Sequence, residues 1–141
     1  MRWPVLAMML LPVGALADGI KVENPVVPLA PPGVMAHAAY FTLTNEGHTA
    51  RQLIGVSADG YGMAHIHKSE VQNDVATMSA VDMIEIAPGQ SVSFEHGGFH
   101  VMLMRPKAPL SEGDTVALTL DFADGGAETV TAVVTRLDHG S

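Results

Sequence analysis

The chain has 141 residues, a formal net charge of −8, seven histidines, nine methionines and no cysteine. This length suits one domain, and an apolar fraction of 48% with 16% charged residues argues against disorder. The acidic charge argues against nucleic acid and anionic membrane surfaces as partners, and the lack of cysteine excludes disulfides, zinc–thiolate sites, iron–sulfur clusters and blue-copper centres. Imidazole and thioether are the soft metal-binding groups that remain.

Residues 1–17 are typical of a secretory signal. Arg2 supplies the positive charge, Val5–Leu11 the apolar stretch, and Ala15–Ala17 a small-residue cleavage motif. The apolar stretch is too short, and too interrupted by proline and glycine, to span a bilayer. We therefore predict a signal peptide at 1–17 and a single exported domain at 18–141, with no membrane span after cleavage.

The rest of the chain alternates short strand-like runs with turn residues, and no segment keeps a helical apolar period for three turns. The proline-rich stretch Pro25–Gly33 is predicted to be an irregular or edge connection. The last two predicted strands flank a glycine-bearing turn and form the clearest hairpin. Many short strands at this spacing indicate an all-β sandwich or barrel. The predicted strands are Ile20–Glu23, Ala38–Thr44, Gln52–Ser57, Ala64–Lys68, Asp82–Ile86, Ser91–Glu95, Phe99–Met104, Thr115–Phe122 and Thr129–Arg136.

Two of these strands each present one apolar face and one face of histidine and methionine. Side chains two residues apart lie on the same face of a strand. The histidine–methionine faces carry no charge, and they comprise Met63, His65 and His67 in one strand and His100, Met102 and Met104 in the other. Met78 and Met83 follow in the next segment, close enough in sequence to close over a site formed there.

This combination favours copper over other metals. Thioether is a soft, neutral ligand that selects Cu(I), and imidazole accepts copper in either oxidation state, whereas zinc seldom binds methionine. Taken singly, a methionine is usually core filler. We interpret His37, His48 and His96 as surface or hydrogen-bonded residues and His139 as a solvated tail residue.

Three other functions are alternatives to copper binding followed by transfer to a partner. A zinc or general metal buffer would use His65, His67 and His100 without methionine. A copper oxidase or monooxygenase is disfavoured, because a histidine-brace site needs a mature N-terminal histidine and the predicted cleavage exposes Asp18; the chain also lacks a G-x-S-x-G elbow and an H-E-x-x-H motif. A purely structural β-sandwich leaves the histidine–methionine faces unexplained. We therefore predict that the protein is not an enzyme.

The spacing of these residues resembles that of a known family. His67 is followed after ten residues by Met78, then after twenty-one by His100, with Met102 two positions further on. This pattern resembles the signature of the periplasmic PCu(A)C-type copper chaperones. The resemblance extends over nearly all of the chain after the signal. It includes the early strand around Ala38–Asn45 and the closing strand Phe99–Met104.

The resemblance implies a cupredoxin-like fold of Greek-key-type antiparallel strands and a Cu(I) site formed by His67, Met78, His100 and Met102. Met104 and His65 are expected accessory residues; His65 either adds a ligand to the site or helps Cu(II) to bind. It also implies a periplasmic chaperone that passes copper to an oxidase subunit or a Sco-type protein during assembly of a haem–copper oxidase. We expect a monomer. The chain departs from the family where a second methionine is frequent, because that position is Ala76.

Overall fold

The computed structural model describes residues 19–31 and 33–136, and none of these lies in an α-helix. The all-β prediction is confirmed. The predicted signal peptide and His139 lie outside the described residues. The strands are β1 (Ile20–Pro28), β2 (Ala36–Asn45), β3 (Arg51–Ala58), β4 (Tyr61–Gln72), β5 (Val75–Ala80), β6 (Ile84–Ile86), β7 (Ser91–Phe94), β8 (Phe99–Pro106), β9 (Thr115–Phe122) and β10 (Ala127–Thr135).

The ten strands form one continuous hydrogen-bonded sheet in the order β5-β4-β8-β7-β2-β1-β10-β9-β3-β6, and β8 also pairs with β2. Most neighbours are antiparallel, while β1 runs parallel to β10 and β7 runs parallel to β8. The consecutive strands β3 and β4 lie in different parts of the sheet. Such connections between strands that do not pair are typical of Greek-key β folds.

A single core forms because alternate residues of nearly every strand point inward. The predicted hairpin of β9 and β10 is observed, and its inward residues are among the most buried in the protein. In β4 and β8 the inward residues are Ile66, Val101 and Leu103, which are at most 4% exposed. Burying an aliphatic side chain of this size contributes about 1.5–3 kcal/mol. This burial fixes which face of β4 and β8 points away from the core.

Two parts of the strand prediction were wrong. The fourth strand was predicted to end at Lys68, but β4 continues to Gln72. It forms a hairpin with β5, a strand that was not predicted. Asn73 and Asp74 form the two-residue turn, and their φ angles of 55° and 65° lie in the left-handed region. Positive φ at both central residues is typical of a type I′ hairpin turn.

The second correction concerns β1, which runs to Pro28 instead of ending at Glu23. Its pairing with β2 shifts register between Glu23 and Val26, where Asn24 has a φ of 53°. Pro25 lies in this irregularity, where a missing N–H interrupts no regular ladder. Beyond it, Val26 and Val27 pair with β10, so that the strand joins two parts of the sheet.

Candidate metal centre

The two predicted histidine–methionine faces meet because β4 and β8 are adjacent antiparallel strands. Residues directly opposite each other in such a pair project from the same side of the sheet. The opposed pairs are His67 with His100, His65 with Met102, and Met63 with Met104. The pairing therefore brings all six residues of the two faces onto one continuous outer surface.

The β4–β5 hairpin adds Met78 to this surface. Met78 is opposite Ser69, and His67 is opposite Ala80. Met78 is thus on the same face as His67 and diagonal to it, a position that a long side chain can bridge. Met102, on β8, is also diagonal to His67, on the opposite side of β4 from Met78. His67 is at the centre of the four residues that the sequence analysis singled out.

The spacing of the imidazole rings suits a shared ion. The ring centroids of His67 and His100 are 5.9 Å apart, and those of His65 and His67 are 6.1 Å apart. A metal–nitrogen bond of about 2 Å places the centroid of a ligating ring roughly 3 Å from the ion. Two rings bound to one ion therefore have centroids up to about 6 Å apart. The His67–His100 pair lies within this limit.

His100 is held in place by the protein. It is 5% exposed, and its Nδ1 is 3.3 Å from the carbonyl oxygen of Gly98, which also accepts a hydrogen bond from the backbone N–H of Ser69. When Nδ1 donates to Gly98, Nε2 is the nitrogen that remains to bind a metal. This backbone contact orients the ring in the way that outer partners orient metal-bound histidines.

His67 lacks such a partner. Its Nδ1 is buried and makes no hydrogen bond with any of the described residues. Burial lowers the pKa of His67, and the nearby His100 and His65 lower it further. A buried nitrogen without a hydrogen-bond partner costs folding free energy, and neutral imidazole is the form that binds metals. Both properties suit a metal ligand.

The surroundings of these residues are uncharged. Ala36 and Ala38 of β2 lie opposite Met104 and Met102, so small side chains flank the methionines. Lys68 and Glu70 project from the other face of β4 and pair with each other, with Nζ 3.3 Å from Oε2. The site consists of imidazole and thioether groups without a carboxylate, a donor set that fits a soft monovalent ion.

Exposure increases across the site from β8 to β5. His100 is buried, His67 and Met102 are half-buried, and Met78 is 54% exposed. His65 is exposed as well. Met83, which was expected near the site, is 50% exposed and directly precedes β6, the strand at the other end of the sheet order. The candidate site is thus anchored on β8 and open on the side of β5.

The remaining histidines do not join this surface. His48 and His96 are exposed, and His37 places its Nδ1 2.8 Å from the hydroxyl oxygen of Tyr61. Within residues 19–31 and 33–136, no three His, Asp or Glu side chains converge well enough to hold a metal ion.

The strand that carries Met78 was not predicted, nor was the extension of β4 to Ser69, which pairs with Met78. The signal that could have revealed this strand is the Asn73-Asp74 dipeptide, since these residue types favour two-residue hairpin turns. Pairing outward from that turn places Met78 opposite Ser69 and on the face of His67.

Comparison with known families supports the relationship inferred from the spacing. Residues 20–134 match the LpqE-like family, described as "Putative lipoprotein LpqE-like". The chain belongs to the LpqE-like family. A relative in Leifsonia xyli subsp. xyli, named "Putative lipoprotein Lxx21020", is 31% identical over 86% of this chain and 72% of its own length.

Solved structures similar to this LpqE-like chain are PCuAC domains. The apo PCuAC domain of PmoF1 is 25% identical, with a TM-score of 0.70 over 84% of this chain and 94% of that domain. The Cu(I) form of DR1885 from Deinococcus radiodurans is 31% identical, with a TM-score of 0.63 over 86% of this chain and 81% of that one. The predicted resemblance to PCu(A)C-type domains and the cupredoxin-like β fold are confirmed. No helix among the described residues is long and apolar enough to cross a membrane.

Proposed function

We propose that this protein is a copper chaperone that binds one Cu(I) ion through His67, Met78, His100 and Met102. The observation that carries the proposal is the meeting of two imidazoles and two thioethers around His67 on one uncharged face. The Cu(I)-bound state of the similar protein DR1885 supports copper as the cargo. His65 and Met104 lie on the same face and are proposed as accessory residues, His65 for Cu(II).

The open side of the site indicates how copper leaves. A partner ligand must reach the ion before the original ligands dissociate, and Met78 is the most exposed of the four. We infer that the partner approaches over β5 and replaces Met78 first, while the buried His100 remains bound until last. No bond in the protein is made or broken beyond these metal–ligand bonds, so the protein acts without enzymatic turnover.

The proposed setting follows from the same relationship. The protein is exported after removal of residues 1–17 and works as a monomer in the periplasm. Its partner is a copper-accepting protein such as an oxidase subunit or a Sco-type protein, and its product is a loaded copper centre in a haem–copper oxidase. The similarity of the chain to PCuAC domains supports this proposal.

Substitution of single methionines tests the ligand set. Met78→Ala and Met102→Ala are each expected to weaken Cu(I) binding by roughly tenfold or more, because loss of a residue that only supports a ligand already costs 10–100-fold. Cu(II) binding should change less, since thioether is a poorer ligand for the harder ion. Anaerobic competition with a chromophoric Cu(I) chelator measures both variants. Met35→Ala is the matched control, because Met35 is 63% exposed and outside the proposed set.

X-ray absorption of the Cu(I)-loaded protein provides an independent test. The proposal requires scattering from both nitrogen and sulfur neighbours, with the sulfur component reduced in each methionine variant. Unchanged Cu(I) affinity in both variants would overturn the ligand assignment. Scattering from nitrogen alone would also contradict it.

A further inference from the structure

One edge of the sheet lies beside the proposed copper ligands. β5, the strand that carries Met78, is at one end of the strand order, and among the described residues it pairs on one side only, with β4. All six of its residues are exposed, including Val75 at 57% and Met78 at 54%. The strand at the other end, β6, has only three residues. β5 is therefore the longer free edge of the sheet.

The free backbone groups of β5 belong to Ala76, Met78 and Ala80. The N–H of Val81 donates to the carbonyl oxygen of Ile66 at 2.9 Å, so this position faces β4. In an antiparallel ladder the backbone groups of alternate residues point to the same side. The backbone N–H and C=O groups therefore point toward β4 at Val75, Thr77 and Ser79. They point away from the sheet at Ala76, Met78 and Ala80.

Nothing in the sequence of β5 protects this edge. Natural edge strands are usually shielded by charged residues, proline or a bulge, or are very short. The strand reads Val-Ala-Thr-Met-Ser-Ala, without a charge or proline, and its register with β4 is regular over all six residues. Such a strand is suited to accept a further strand from another chain by β-strand addition.

The charges at the two ends of β5 determine which chain fits. Asp74 precedes the strand and Asp82 follows it by two positions. A twofold pairing of two β5 strands is antiparallel, and when it is centred on Met78 it places Asp74 of one copy opposite Asp82 of the other at both ends. Like charges directly opposite each other destabilise strand pairs. A second copy of this acidic chain is thus disfavoured in this register.

We propose that the edge of β5 binds an extended segment of a partner protein that carries Lys or Arg at both ends of an uncharged core. Main-chain hydrogen bonds to Ala76, Met78 and Ala80 provide binding, and the pairs with Asp74 and Asp82 select the partner. The bound segment lies beside Met78. The role of this docking in copper transfer rests on the proposed function, whereas the docking itself does not.

A designed peptide tests the docking on copper-free protein. The probe has alternating threonine and valine residues with a lysine at each end, and its comparison peptide has glutamates in place of the lysines. Binding is followed by NMR shifts and by hydrogen exchange of the β5 amides. The variant is Asp74→Asn with Asp82→Asn, since Asn tolerates the positive φ of 65° at position 74. The control, Asp59→Asn with Glu112→Gln, removes two exposed charges outside the β4–β5 hairpin.

The proposal requires the lysine peptide to slow exchange at Ala76, Met78 and Ala80. The double variant should bind it about fivefold more weakly, while the control binds as the natural protein does. Equal binding of the two peptides, or no protection of the three amides, overturns the proposal. If protection of these amides from exchange rises with protein concentration in the absence of peptide, the edge binds a second copy of the chain, and the proposal is overturned as well. The double variant should keep the Cu(I) affinity of the natural protein. A loss of peptide binding in this variant can then be told apart from a loss of copper binding in the methionine variants.

Discussion

The polar side chains around Asn45 differ from the histidines of the candidate metal centre in how their hydrogen-bonding groups are used. Asn45 is 1% exposed, and its Nδ2 donates to the carbonyl oxygens of Thr49 at 2.8 Å and Ile86 at 2.9 Å. Its Oδ1 accepts from the N–H of Gly47 at 3.0 Å. His67, by comparison, has a buried Nδ1 with no hydrogen-bond partner in the part of the chain that the structure describes.

Arg51, next to this group, has partners as well. Its Nε is 2.7 Å from Oδ2 of Asp124, its Nη2 is 3.3 Å from Oδ1, and its guanidinium carbon lies 4.5 Å from the ring centroid of Phe122. Buried polar groups that are satisfied within the protein serve stability, because removing either partner leaves the other unpaired. A partly exposed donor set in which one buried nitrogen lacks a hydrogen bond is instead suited to an external ligand.

The substitution Asn45→Ala should have the largest effect on the free energy of unfolding and is the strongest test of this difference. Three hydrogen bonds are lost and two carbonyl oxygens and one N–H are left without this partner, so we expect a loss of about 3 kcal/mol in the free energy of unfolding. Cu(I) affinity of the folded protein should not change. Urea denaturation measures the first quantity and chelator competition the second. Glu46→Ala, at an exposed neighbour, is the control and should remain within about 0.5 kcal/mol of the natural protein. A similar loss of stability in Asn45→Ala and Glu46→Ala would contradict the stabilising role of the Asn45 hydrogen bonds.

Asp124→Asn tests the contribution of the Arg51–Asp124 pair through the pH dependence of the free energy of unfolding. The N–H of Gly126 and the Arg51 side chain hold the pKa of Asp124 below its usual value. A carboxyl group with a lowered pKa in the folded state stabilises the protein above the unfolded-state pKa of about 3.9, and this contribution is lost as pH falls through the lower folded-state value.

The variant should therefore be less stable than the natural protein near neutral pH, with a difference that shrinks as the pH falls below about 4. Urea denaturation across this pH range measures the difference. Glu112→Gln removes an exposed carboxylate elsewhere and serves as the comparison. A difference between Asp124→Asn and the natural protein that is constant from neutral to acid pH would rule out this account of the Arg51–Asp124 pair.

The smallest change in stability is expected at the metal centre. His67→Leu removes a nitrogen that has no partner, so the free energy of unfolding should change by less than about 1 kcal/mol while Cu(I) affinity falls by roughly tenfold or more. His100→Leu, the matched variant, also loses the contact with Gly98 and should be less stable than His67→Leu by about 1 kcal/mol. A large loss of stability without loss of Cu(I) binding in His67→Leu would show that His67 is structural.

The faces of β4 and β8 could be predicted because alternation along a strand depends only on local geometry. Their meeting could not, since the same alternation is compatible with several registers and several neighbours. β5 was missed because the apolar residues that alternate along it are two alanines and one methionine, which give little strand signal, and all six of its residues are exposed. The lowered pKa of His67 also escapes sequence reasoning, because its causes are burial and two neighbours brought close by folding.

The two-residue turn between β4 and β5 explains one interval of the spacing. His67 and Met78 belong to the two arms of one tight hairpin, so one residue inserted into either arm between them would turn the sulfur to the opposite surface. The interval from Met78 to His100 instead passes through β6, β7 and their turns. Length changes in those turns leave Met78 and His100 on their faces. Along the chain, the first interval is rigid and the second is adjustable.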